Sequence, residues 1–274
     1  MLHKIAIDNK VSLCYKYIGL DDSSLPLLLF LHEGLGSIAQ WKHFPEELCK
    51  QLNLPGLVYE RYGYGHSTPL QENRNDDYLH VESDYYLPLF IKALKLENRP
   101  LILIGHSDGG TIALLYTSLF PTQVKYIVSM AAHVFVEQIS TTSAVKLIEK
   151  YKHHADFREK FKKYHFEHAD NTFYQFAETI SRQSFQSWNI ENCLPKINTP
   201  ILILQGKSDH YGTEKQVYAI FEKTKSSKKH YLLIDNCGHS PHLEAKEIVL
   251  TEIQSFHKEI RISNIELFTV PKKQ

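Results

Sequence analysis

The sequence predicts an α/β fold, a mostly parallel central sheet flanked by helices, with one helical insertion. Three observations carry that prediction. Short apolar runs alternate with amphipathic stretches along most of the chain, as they do where helices cover both faces of a parallel sheet. The alternation lapses once, between residues 133 and 195, where Lys, His, Phe and Tyr recur at helical spacing without a clear strand. Finally, Gly105-His106-Ser107-Asp108-Gly109 follows directly on Leu101-Ile102-Leu103-Ile104. That run reads as a buried strand, one sharp turn with a serine at its apex, and a helix over Thr111–Phe120.

Taken in order, Met1 to Ile7 goes straight into strand-like alternation. Val11–Tyr17 and Leu27–Leu31 are strands separated by the polar turn Asp21-Asp22-Ser23-Ser24, and Leu57-Val58-Tyr59 is a short strand. Ser83–Leu94 is helical, and its Pro88 must lie in an early turn or kink the helix. Val124–Ala131 is another buried strand. The rhythm resumes after the insertion with the strands Ile201–Leu204 and Tyr231–Ile234 and the closing helix Leu243–His257. The expected organisation is a core from residues 1–132 and 196–262, a helical cap or lid from 133–195, and a tail from 263–274.

Composition narrows the function. Lys+Arg and Asp+Glu both number 31, so no net field draws the chain to nucleic acid or an anionic membrane. No apolar run approaches the roughly 18 residues of a membrane span. Cys14, Cys49, Cys193 and Cys237 lack C-x-x-C spacing and are expected as free thiols in a reducing compartment. The histidines of Tyr151–Asp170 offer no third ligand on one face, so no metal is expected there. With no signal-peptide pattern at the N-terminus, the expectation is a cytoplasmic protein, monomer or homodimer. It should act on a small molecule without cofactor, nucleic acid or membrane.

Serine is a weak nucleophile at its own pKa, so Ser107 needs a base and an acid to orient that base. Both should lie on loops leaving later strands, in the order serine, acid, histidine. Ile201–Leu204 is followed by Gln205-Gly206-Lys207-Ser208-Asp209, and Tyr231–Ile234 by Asp235-Asn236-Cys237-Gly238-His239. Asp209 and His239 therefore converge with Ser107 at the carboxyl edge of the sheet. His242 and His210 are the rival bases; His239 is preferred because it follows a glycine just after the strand. Developing negative charge on a substrate oxygen needs backbone donors. One is the N–H of Asp108; the other comes from His32-Glu33-Gly34-Leu35-Gly36-Ser37, with Gly34 preferred and Leu35 the alternate.

These residues resemble the α/β-hydrolase fold superfamily, in its esterase, lactonase and C–C hydrolase type with a helical cap. The resemblance spans residues 4–262 and includes Arg61-Tyr62-Gly63-Tyr64-Gly65-His66-Ser67, similar to the superfamily's R-x-G-x-G-x-S loop. Gly65-His66-Ser67 within it is a decoy for the nucleophile, since Pro69 stands where the closing glycine belongs. The resemblance implies Ser107 as nucleophile, His239 as general base and Asp209 as its orienter. Two residues depart from the usual pattern: Glu33 interrupts the customary His-Gly, and Asp108 follows the nucleophile where an uncharged residue is common.

The Ser-Asp-Gly-Gly run also occurs in the biphenyl-hydrolase-like (valacyclovir-hydrolase-like) branch, which includes hydrolases of α-amino acid esters. Asp108 thus has two readings: complement to the dipole of the helix it opens, or substrate-binding partner of an ammonium group. The expected reaction is hydrolysis of a small carboxylic ester through an acyl-enzyme, with α-amino esters as candidate substrates. C–C, lactone or amide cleavage on the same triad, acyl transfer, and a non-catalytic ligand receptor are the alternatives.

Overall fold

The computed structural model describes residues 1–19 and 22–269. Leu20 and Asp21 at the expected polar turn, and 270–274 of the expected tail, lie outside the described residues. Eight strands form one sheet: β1 (His3–Ala6), β2 (Ser12–Ile18), β3 (Leu27–Leu31), β4 (Gly56–Glu60), β5 (Leu101–His106), β6 (Val124–Met130), β7 (Ile201–Gly206) and β8 (Lys229–Ile234). Their spatial order is β1-β2-β4-β3-β5-β6-β7-β8. β1, β2 and β4 pair antiparallel, and every pair from β4 through β3 to β8 is parallel. This is the α/β-hydrolase sheet that the sequence predicts.

The near-continuous apolar runs are explained by burial on both faces. Along β3, Leu27, Leu29 and Leu31 enter one apolar cluster while Leu28 and Phe30 enter another on the opposite face. Leu101 and Leu103 of β5 follow the first, Ile102 and Ile104 the second, as the two-residue strand period requires. At the sheet edges, β1 is mostly exposed and β8 partly so, and their Lys and His residues discourage edge-to-edge pairing.

The helices are α1 (Phe44–Leu52), α2 (Tyr78–Val81), α3 (Leu87–Ala93), α4 (Asp108–Leu119), α5 (Gln138–His153), α6 (Ala155–His165), α7 (Ala169–Ser181), α8 (Glu214–Lys223), α9 (Pro241–Glu244) and α10 (Lys246–Thr269). Between α2 and α3 the backbone adopts a π-helical turn over Glu82–Tyr86, so helix begins five residues before the expected Ser83. Pro88 sits at the start of α3, where its missing N–H is absorbed by the widened turn. α10 overruns the expected end at His257 and reaches Thr269, because no Gly or Pro interrupts the run before Pro271. No described helix is long and apolar enough to cross a membrane.

The chain between β6 and β7 is helical, with one isolated bridge, Phe135 to Asn189. α5, α6 and α7 close on an apolar cluster of their own around Tyr151, Phe161 and Phe173. Tyr151 and Phe173 stack with ring centroids 3.7 Å apart.

Candidate active site

β5 ends at His106, and Ser107 turns the chain into α4 with φ of 53° and ψ of −118°. A non-glycine residue at positive φ carries strain that the surroundings must over-determine. Here the Ser107 N–H donates to the Met130 carbonyl at 2.8 Å, and α4 crosses close against β3. A Cβ on Gly109 would fall 1.8 Å from the Leu31 carbonyl oxygen, so only glycine permits that approach. The turn leaves the Ser107 side chain at the carboxyl edge of the sheet and on the wall of a cavity.

The loops leaving β7 and β8 bring the expected partners to it. Ser107 Oγ lies 3.0 Å from His239 Nε2, and His239 Nδ1 lies 2.9 and 3.0 Å from the two Asp209 carboxylate oxygens. The Nδ1–H donates to Asp209, which leaves Nε2 to accept the Ser107 hydroxyl proton. Burial lowers the His239 pKa below the ordinary 6.5, against the raising effect of Asp209. Burial alone would raise the Asp209 carboxyl; the hydrogen bond and charge of His239 and the Tyr211 N–H outweigh it and hold the group low. The arrangement can move a proton from the hydroxyl to the imidazole while a fixed carboxylate balances the charge. Neither rival histidine takes this place. His242 is buried against Trp41 and His106, and His210 is exposed.

Arg61 organises the opposite wall. Its Nη2 donates to the Glu33 carbonyl at 2.8 Å and to Asp108 Oδ2 at 3.2 Å. His32 Nδ1–H also donates to the Glu33 carbonyl, at 2.7 Å, and its Nε2 accepts the Arg61 N–H at 3.1 Å. Carbonyl and following N–H point to opposite sides of a trans peptide, so these two donors turn the Gly34 N–H the other way. Among the described residues nothing accepts a hydrogen bond from it, and Gly34 lines the cavity. The Asp108 N–H opens α4 and belongs to the unpaired donors of a helix start.

The Asp108 carboxylate is occupied. Besides Arg61 it accepts the Tyr78 hydroxyl at 3.1 and 3.2 Å, and the residue is 7% exposed. Arg61 and Asp108 form a buried ion pair, so a substrate ammonium would have to compete with a guanidinium already in place.

The cavity measures about 260 Å³ and is mainly apolar. Leu147, Phe176, Ile180, Phe185 and Trp188 of the inserted segment form one side, facing Ser107, His239 and Gly34. Among the aromatic residues of this segment, Phe176 and Trp188 line the cavity, whereas Phe157 and Phe173 pack in the segment's own cluster. Among the described residues one trio could approach a metal ion, Cys14 of β2, Glu60 of β4 and His66 of the decoy segment, away from Ser107 and its partners. Arg61, Tyr78 and His106 are the site residues that sequence reasoning missed. The position of Arg61 in the R-x-G-x-G-x-S loop was the available signal.

Residues 28–251 match the model of the alpha/beta hydrolase family. The chain is 25% identical over 250 residues to the serine hydrolase BPHL of Homo sapiens, covering 88% of this chain and 80% of that protein. It is 23% identical over 265 residues to monoglyceride lipase of Mus musculus, covering 84% and 81%. A solved membrane phospholipase A, a bacterial virulence factor, superposes with a TM-score of 0.75 at 20% identity, over 95% of this chain and 86% of that one. With most of its length matched by the family model, the chain belongs to the alpha/beta hydrolase family.

Proposed function

We propose that the protein is a serine hydrolase of small carboxylic esters with an apolar acyl or alcohol group, working through an acyl-enzyme. The observation that carries this reading is the hydrogen-bonded chain Ser107–His239–Asp209 opening on a mainly apolar cavity. His239 takes the Ser107 proton as Oγ attacks the carbonyl carbon, and Asp209 balances the imidazolium. The N–H groups of Asp108 and Gly34 receive the oxyanion, and the helix dipole of α4 favours the same charge. The tetrahedral intermediate collapses with proton transfer from His239 to the leaving alcohol. Water then enters, is deprotonated by His239 and releases the acid.

In this reading residues 133–195 serve as a cap whose apolar side chains select the substrate and exclude water. The Arg61–Asp108 pair supports neutral over α-amino esters, because it leaves Asp108 little capacity to hold an ammonium. The test is labelling with a fluorophosphonate: the wild type should label at Ser107, and absence of labelling in folded protein would refute the reading. A panel of neutral, acidic and α-amino esters then tests the substrate class. A marked preference for α-amino esters, lost in Asp108→Asn, would restore Asp108 as a recognition residue.

A further inference from the structure

His106, the last residue of β5, stands between three segments that each supply one functional group. Its Nε2 lies 2.7 Å from the main-chain carbonyl oxygen of His239. A carbonyl only accepts, so Nε2 carries a proton and donates it. Its Nδ1 lies 3.4 Å from Glu33 Oε2; a carboxylate also only accepts, so the two bonds together require the imidazolium form, in which both ring nitrogens donate. His106 itself is 2% exposed and is packed by His242, at 4.6 Å between ring centroids, and by Trp41 at 6.4 Å. Burial would raise the Glu33 carboxyl, but the hydrogen bond and charge of His106 hold it well below the usual carboxylate range.

One ring thus touches the loop of Gly34 on one side and the loop of His239 on the other, and adjoins Ser107 through the chain. Neither the His106 ring nor the Glu33 carboxylate bonds to Ser107 Oγ or to the His239 imidazole. Glu33 is also the residue that interrupts the customary His-Gly pattern. A residue there with a carboxylate long enough to reach β5 gives the loop a tie that glycine lacks. We propose that Glu33 and His106 are a positioning pair that holds the Gly34 and His239 loops in register with Ser107. This rests on the hydrolase reading for its kinetic consequence, but not for its structural one.

The test compares Glu33→Gln, His106→Gln and the double variant on one neutral ester, with hydrogen exchange measured on the same proteins. Because misplacing reacting groups by about 1 Å can cost of the order of a hundredfold, each single variant should lower kcat by about ten- to a hundredfold. Both residues border the cavity, so KM is the discriminating readout: a positioning role leaves it within about twofold. The double variant should be no slower than the worse single, as expected of residues acting as one unit. Glu33→Asp, with the charge kept but the reach shortened, should recover part of kcat.

Exchange should quicken in residues 235–240 when only Glu33 is changed, because the hydrogen-bond path between them runs through His106. A rise in KM at unchanged kcat would place Glu33 on the substrate and overturn the proposal. Additive losses, or unchanged exchange in residues 235–240, would also overturn it. If the wild type neither labels with fluorophosphonate nor hydrolyses any ester, the hydrolase reading fails alone. The exchange comparison then decides the strut by itself.

Discussion

Gly105-His106-Ser107 and Gly65-His66-Ser67 set the same three residues in the same order, and each histidine has a glutamate beside it. Glu33 lies 3.4 Å from His106 Nδ1, and Glu60 lies 3.2 Å from His66 Nδ1. The serines differ in what their hydroxyls already hold. Ser67 Oγ donates to the Glu60 carbonyl at 2.6 Å and accepts the Cys14 N–H at 2.8 Å, tying its loop to β4 and β2. Ser107, held at positive φ between β5 and α4, offers Oγ to His239 and to an apolar cavity. A hydroxyl with its bonds spent on the main chain is structural; one facing an imidazole with a carboxylate behind it is poised for chemistry.

Replacing each serine is the strongest way to break the comparison. Ser107→Ala should abolish fluorophosphonate labelling and lower kcat by about 10⁶-fold, the scale on which loss of a triad nucleophile is felt. Ser67→Ala should label fully and keep kcat within about threefold, because no reacting group touches it. Labelling that persists in Ser107→Ala and vanishes in Ser67→Ala would reverse the assignment. The carboxylates sharpen the same contrast one step down. Asp209→Asn should reduce kcat by about 10⁴-fold by favouring the wrong His239 tautomer. Glu60→Gln, beside the other histidine, should leave kcat within about threefold, since it orients no base. Comparable losses in the two variants would undo the distinction.

Much of this contrast was legible in the sequence, for stated physical reasons. Strand–turn–helix context and a closing glycine separate Ser107 from Ser67, and Asp209 and His239 follow strands whose apolar runs announce them. Arg61 was legible only as part of a loop signature. Its action depends on a guanidinium reaching the main chain of Glu33 and the side chain of Asp108, which are 28 and 47 residues away. His106 was hidden for the same reason: its partners lie 73 and 133 residues away in sequence. The fate of Asp108 could not be read from the helix it opens, because Tyr78 and Arg61 approach it from other elements. The π-helical turn before Pro88 likewise needs a register of main-chain bonds that apolar spacing does not reveal.

The pH profile gives a smaller effect with a definite sign. Burial, together with the charges of His106 and His133, lowers the His239 pKa below 6.5, while Asp209 works in the opposite direction. A general base acts when neutral, so kcat/KM should hold through neutral pH and fall on the acid side with a midpoint below 6.5. Below the midpoint the loss should be about tenfold per pH unit. Asp209→Asn removes the group that raises this pKa, so its residual activity should show the acid limb displaced further down. A wild-type midpoint above 6.5 would mean that the charge of Asp209 outweighs burial at this imidazole.

The smallest effect falls on the decoy and is read in stability. Deleting the Ser67 hydroxyl leaves the buried Cys14 N–H without its acceptor and the Glu60 carbonyl without this donor. An unsatisfied buried polar group costs about 1–3 kcal/mol, and water can recover part of that where it reaches the loop. For a chain of this size each kcal/mol lowers Tm by about 2–4 °C, so Ser67→Ala should melt a few degrees early while turning over normally. Ser107→Ala should behave in the opposite way. Its hydroxyl is bonded to His239 within a partly open cavity, and its strained turn is fixed by main-chain contacts, so Tm should move by less than about 2 °C. Matched thermal melts of the two alanine variants check this. Equal destabilisation would show that the two hydroxyls do the same structural work.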